Sequence, residues 1–376
     1  MKIYLDNAAT TPLMPEADRA MRAFVSDYFY NPSASYTFSK DVRKKIEEAR
    51  EVIAGLIEAE PEEIFFTSGG SEGDNWAIKE GLYRGHVITD AIEHKAVLNT
   101  VKSAPYGRYS IIPVDRDGTV DINAIKKHMR RDTSMISIMY ANNEIGTIEP
   151  IDCIANCARE YELLFHCDAV QAFGHIPLSM KKVNMDIMST SAHKFNGPKG
   201  TGFIYIRKNT GIRPMIYGGG QEKNMRAGTE NVPGIIGMAV AAKKSCERLK
   251  EKSQHMVVLS SYVIKRLITE IPDCRLNGPA PGEKRLPNNI SISFKNIDGQ
   301  SLLVLLDMKG IMASAGSACN SSEKKTSHVL KAIGVEKGYI DGTIRLTIDE
   351  NFSYRTADYV INCIKESVNV LRNQKK

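Results

Sequence analysis

The sequence predicts an α/β protein, with a mainly parallel seven-stranded sheet covered by helices and a smaller C-terminal α+β unit. Two patterns carry that expectation. From about residue 60 to 207, short apolar runs alternate with amphipathic stretches, and beyond about 250 further apolar runs are interspersed with helical ones. With 376 residues and 42% apolar content, the chain has enough material for one large core and a smaller one.

The strand-like runs, in order, are EIFFTSG (63–69), HVITDAIEH (86–94), SIIPVD (110–115), MISIMYANN (135–143), LLFHCDAV (163–170), DIMSTSAH (186–193) and GFIYIR (202–207). Apolar residues at helical spacing over 239–267 predict one helix that bridges to the second unit. In that unit NNISISF (288–294), IMASAG (311–316) and GTIRLTI (342–348) read as strands. SLLVLLDMKG (301–310), SHVLKAIG (327–334) and the stretch 354–373 read as helices. The expected division is a large domain over 13–249 and a small one built from 1–12 and 250–376. Ligands of such sheets gather at the carboxyl ends of strands, where most of the polar clusters fall.

Composition narrows the function classes. The net charge of +6 comes from Lys and Arg interleaved with Asp and Glu, so no dedicated nucleic-acid surface is expected. No apolar run approaches the roughly 20 residues of a membrane span, and MKIYLDNAATTP lacks a continuous apolar leader segment. A soluble cytoplasmic protein without a membrane partner is expected. Seven cysteines without regular spacing argue against a disulfide framework. Cys153, Cys157, His166 and Cys167 invite a metal assignment, but strand alternation turns Cys167 away from His166, and no metal site is expected.

Three segments carry chemistry. EIFFTSGGSEGDNWAIKEGL reads as strand, Gly-rich turn and helix, with Ser71, Glu72 and Asp74 in the first helical turn. Unpaired N–H groups and the positive end of the helix dipole suit a phosphate there, although an ordinary capped helix accounts for the same residues. In LLFHCDAVQAFG a strand ends at Asp168, with Gln171 three residues on. A buried acid calls for a partner, and a protonated pyridine nitrogen is one; capping of the next helix is another explanation. In DIMSTSAHKFNGPKG, Lys194 follows a strand and a Ser-x-His lead-in. A lysine at a partly desolvated strand end is suited to Schiff-base chemistry, with Ser191 and His193 near enough to bind phosphate.

Together these residues resemble the cysteine desulfurases of the class V aminotransferase family, within fold type I of the pyridoxal-phosphate enzymes. The resemblance runs from YLDNAATTP (4–12) to GTIRLTI. It includes TSGGSE, EHKAV, YANNEIG, DAVQ, SAHKFNGPKG, GGGQE and SAGSAC in family order. It implies pyridoxal 5'-phosphate bound through Lys194, with Asp168 on the ring nitrogen, Gln171 on the phenolic oxygen and His94 stacked on the ring and able to move protons. Gly70, Ser71, Ser191 and His193 match phosphate-binding positions. Thr229 matches one donated by the second subunit of a homodimer. Asn143 matches a cofactor and substrate contact, and Arg345 a clamp on the substrate carboxylate.

The same cofactor apparatus serves a class V aminotransferase or a selenocysteine lyase. Cys319, in ASAGSACNSSEKKTS, separates them, because a desulfurase thiol attacks the sulfur of bound L-cysteine and carries a persulfide to an acceptor protein. That acceptor is expected to be an iron–sulfur scaffold or a sulfur carrier for tRNA thiolation. A free thiol titrates at about 8.5, so Lys324 and Lys325 would favour the thiolate if they approached it. The segment from about 313 to 327 resembles the group I, NifS/IscS-like type. Ala313 and Ala315, where many relatives carry serines, and Gly73 after Glu72 depart from that pattern.

Overall fold

A computed structural model describes residues 2–315 and 326–373. Cys319, Lys324 and Lys325 lie outside the described residues.

The chain starts with β1 (Ile3–Tyr4), α1 (Pro15–Ser26) and α2 (Thr37–Leu56). Then follow β2 (Ile64–Thr67), α3 (Gly70–Arg84), β3 (His86–Asp90), α4 (Lys95–Lys102), β4 (Tyr109–Ile112), α5 (Ile122–His128), β5 (Thr133–Ser137), α6 (Ile151–Glu160), β6 (Leu164–Asp168), β7 (Ile187–Ser189) and β8 (Gly202–Ile206). The remainder comprises α7 (Val232–Cys246), α8 (Leu249–Glu270), β9 (Cys274–Leu276), β10 (Asn289–Phe294), α9 (Gly299–Met308), β11 (Ile311–Met312), α10 (His328–Ala332), α11 (Lys337–Ile340), β12 (Thr343–Thr347) and α12 (Tyr354–Asn373).

The larger sheet has the order β2-β8-β7-β6-β5-β3-β4. Neighbours from β7 through β4 pair parallel, and β8 runs antiparallel to both β7 and β2. The mainly parallel seven-stranded sheet is therefore as expected. Its strands are apolar on both faces because helices cover both. On one side Val42, Ile46, Ala49 and Ile53 form a single stripe of α2. That stripe packs against α7, an apolar helix with Ile235, Met238, Ala239 and Ala242 buried. Phe173 meets Phe195 and Phe203 edge to face at 4.8 and 5.2 Å, so the backbone directly after Lys194 stands on packed rings. The opposite face buries Trp76, Val87, Val97 and Met135.

The second core lies behind an antiparallel sheet of order β12-β10-β9, where Ile290, Ile292, Phe294 and Leu346 pack on Leu267 of α8 and on Val360 and Ile364 of α12. IMASAG contributes β11, but β11 pairs parallel with β1 and stays outside that sheet, which places the chain's first strand beside this core. The run 239–267 is two helices, not one. Glu247 is extended and Arg248 left-handed at φ 56°, which ends α7 and restarts the chain as α8. The reason is a change of core: the apolar residues of α7 face the larger cluster and those of α8 the second, a reorientation one straight helix cannot make. Among the described residues no helix is long and apolar enough to cross a membrane.

Candidate active site

The cofactor-type segments converge at the carboxyl edge of the larger sheet. After β2 the chain turns through Gly69, at φ +145°, into α3. On β8, a β-carbon at Gly202 would lie 2.7 Å from the Gly69 Cα and 2.5 Å from the Thr190 carbonyl oxygen, so two glycines are needed for this close approach. The turn is braced by Glu72, which accepts from the Ser68 N–H at 2.8 Å and pairs with Arg226 at 2.8 Å. A β-carbon at Gly73 would sit 2.8 Å from Ser189 Oγ, which explains the glycine at this position.

One cavity of about 360 Å³ opens there, in the size range of small-molecule sites. Gly70, Ser71, Ser191, His193 and Lys194 line it, together with His94, Asn143, Asp168, Gln171 and Arg345. Thr229 is exposed and does not line it.

Lys194 Nζ donates to the carbonyls of Ala8 at 2.7 Å and Ala9 at 2.9 Å, and Gln171 Nε2 donates to Ala8 at 3.0 Å. The segment between β1 and α1 thus forms a wall of the cavity. Asp168 Oδ1 accepts from the Val170 N–H at 2.9 Å. His94 caps α4 by accepting from the Ala96 N–H at Nδ1, 3.2 Å away, so in the neutral ring the proton sits on Nε2. Arg345 is 1% exposed. Its Nη1 donates to the Asn143 carbonyl at 3.0 Å and its Nη2 to Asp6 at 2.6 Å, while Nε has no partner among the described residues. Among the described residues two of the five guanidinium N–H donors are engaged, which leaves capacity for a carboxylate.

The two ends of the cavity differ in charge. Burial pushes the Asp168 carboxyl up, against the pull of His94, the Val170 N–H and Lys194. Burial, and then the nearness of Asp168, push Asp74 well above the usual carboxylate range, against the pull of the Ser189 hydroxyl, and His166 Nε2 lies 3.7 Å from its Oδ1. Asp74, His94 and Asp168 each bring a polar atom within 4.8 Å of the others. Glu93, also lining the cavity, is fully buried and is raised by burial and by Asp90, Asp168 and Asp74, against the pull of the Met139 backbone N–H. At the other end, burial and then Lys194 and Lys199 push His193 down to about 4, so its ring is a neutral donor or acceptor, with Nδ1 3.1 Å from Thr10 Oγ1.

Sequence reasoning missed Glu93, the Ala8–Ala9 carbonyls, Glu144 and His328 as cavity or wall residues. Asp74 was read only as part of a helix start. Their side chains look like ordinary surface or capping residues until burial is known. His166, weighed as a metal ligand, is occupied by Ser137 Oγ at 2.9 Å and Ser189 Oγ at 3.0 Å, and burial lowers it to about 3.

The donor set fits pyridoxal phosphate. It offers an amine at a strand end, a carboxylate raised by burial that a pyridinium would relieve, and N–H and hydroxyl donors at the start of a 15-residue helix. The lysine after β7, the acid ending β6 and the helix start after β2 meet at one edge of a mainly parallel sheet, and the chain belongs to the class-V aminotransferase family, whose model matches residues 3–351. Particular relatives narrow this. The chain is similar to a protein named cysteine desulfurase IscS from Dictyoglomus turgidum, 46% identical over 99% of this chain and 95% of that one. It is also similar to one of the same name from Methanosarcina thermophila, 44% identical over 99% and 93%. A solved structure titled NifS-like protein superposes with a TM-score of 0.91 at 38% identity, covering 99% of this chain and all of the other.

Proposed function

We propose that this chain is a cysteine desulfurase that uses pyridoxal 5'-phosphate to convert L-cysteine to L-alanine and retains the sulfur as a persulfide on Cys319. The observation that carries the reading is that Lys194, Asp168 and Arg345 line one cavity in a chain whose full-length relatives bear that name. When bound, the cofactor supplies an electron sink that makes a substrate Cα–H acidic. Lys194 would anchor it and would then accept or return the Cα proton. Asp168 would keep the ring nitrogen protonated, Gln171 would donate to the phenolic oxygen, and His94 would serve the ring and its protons. Gly70, Ser71, Ser191 and His193 would hold the phosphate. Arg345 and Asn143 orient the substrate carboxylate. The Cys319 thiol takes the sulfur: the substrate C–S bond breaks, an S–S bond forms, and the thiol's hydrogen count is conserved in alanine and the persulfide S–H.

Thr229 is exposed and away from this cavity, and on the resemblance it would serve the phosphate site of a second subunit, so a homodimer is part of the reading. The pairing of β1 with β11 supports the division into 13–249 and 1–12 with 250–376. A persulfide needs a recipient, so the partner is a sulfur-acceptor protein in the cytoplasm, either an iron–sulfur scaffold or a sulfur carrier. Purified protein incubated with L-cysteine and a reductant is expected to release alanine and sulfide, and Cys319→Ala to abolish sulfide release while the cofactor's visible band persists. Undiminished desulfuration by Cys319→Ala sinks the role given to that thiol and favours the selenocysteine lyase or aminotransferase alternative.

A further inference from the structure

The backbone that presents His94 is held by two side chains from opposite sides. Ile92 and Glu93 leave β3 in an irregular segment, so their carbonyls need donors from elsewhere. Asn142 Nδ2 donates to the Ile92 carbonyl at 2.9 Å from the larger sheet's edge. His328 Nε2 lies 3.0 Å from the Glu93 carbonyl oxygen. A carbonyl only accepts, so the His328 proton is on Nε2. His328 opens α10, and its neighbour Ser327 donates to buried Glu144 at 2.5 Å while capping that helix. Glu144 adjoins Asn143, whose carbonyl is held by Arg345. His328 is half-buried and lines the same cavity as His94.

We propose that His328 is a positioning residue for the reaction: through the carbonyl immediately before His94 it sets the height and tilt of the imidazole over the cofactor ring. The inference rests on the cofactor reading above. Removing the donor lets the Glu93 carbonyl turn toward water, and the His94 ring turns with the peptide. Displacements of about 1 Å at a reacting centre cost up to about 100-fold in rate. The test compares holoenzyme carrying His328→Leu, His328→Asn or His328→Gln with the parent. Gln extends an N–H to the place of Nε2, whereas Asn falls short.

The expected result is a loss of about tenfold in kcat for alanine formation in the Leu and Asn variants, with KM little moved, a modest case of such displacement. Their visible circular dichroism, which reports how the bound cofactor ring is seated, should weaken in parallel. The Gln variant should recover most of both signals. Parent-like rate and dichroism in His328→Leu overturn the proposal. Should the Leu variant not fold, the pair of amides decides: equal behaviour of Gln and Asn overturns it, and recovery by Gln alone supports it. A parent without a visible band or alanine production refutes the underlying cofactor reading instead, which keeps the two failures apart.

Discussion

The two ends of the cavity solve opposite problems with the same burial. At the α3 end, Ser71, Ser191 and backbone N–H groups offer hydrogens, and His193 is held uncharged by burial with a value of about 4. At the β6 end, Asp74, Glu93 and Asp168 crowd together, and burial raises all three against the pull of their hydrogen-bond donors and, at Asp168, of His94 and Lys194. A ligand that satisfies both ends has an anion at one and a protonated ring nitrogen at the other. The contrast therefore reads out the polarity of the ligand before any ligand is seen, and it can be broken from either side.

The largest effect is expected where the two ends meet. Lys194→Ala should abolish the covalently bound cofactor's visible band and lower alanine formation at least about 1,000-fold, measured by absorbance after dialysis and by amino-acid analysis. A retained band after dialysis would place the anchor elsewhere. Breaking the acidic end with Asp168→Asn should leave loading detectable but cut kcat by about 100-fold or more, because the neutral amide no longer holds the ring proton. Unchanged turnover there would refute the ring-nitrogen assignment. At the donor end, Ser191→Ala should weaken cofactor affinity about tenfold with little change in kcat at saturation, the cost of one hydrogen bond to a charged group. Equilibrium dialysis measures it.

The smallest effect is on stability and sharpens the acidic side alone. Burial holds Asp90 at about 7, against 3.8 for an ordinary aspartate, in a group with the buried acids Glu93 and Glu149. Between those values the folded chain binds more protons than the unfolded one, so stability falls as pH rises from about 4 to about 7 and levels off above. Asp90→Asn keeps the oxygen that accepts from Ile92 and removes that slope. The variant should be more stable than the parent by roughly 4 kcal/mol at pH 8 and by only about 1 kcal/mol at pH 4.5, read by denaturant titration. A gain that is the same at both pH values would assign the effect to packing.

What the sequence made legible follows from range. Runs such as HVITD and GFIYI are buried on both faces, so their composition alone announces β3 and β8. Lys194, Asp168 and the Gly69–Gly70 turn sit at the ends of those runs and inherit their visibility. The charge pattern was hidden because Asp74 and Glu93 become unusual only when the strands beside them close over their carboxyls. β9 escaped because its three residues carry no period. The break at Arg248 escaped because neither Gly nor Pro marks it, and only the existence of two cores requires it. His328 had a local signal in the Ser cap of SHVL, but its partner is 235 positions away.

The wall made by the Ala8 and Ala9 carbonyls, with Arg345 tied to Asp6 and Asn143, has a consequence for biosynthesis. The cavity joins Asp6, Ala8 and Ala9 with Arg345, which lies 339 positions after Asp6 in the chain. A nascent chain can assemble the larger sheet and the α3 turn long before β12 exists, so Lys194 and Asp168 take their places while the cavity still lacks Arg345.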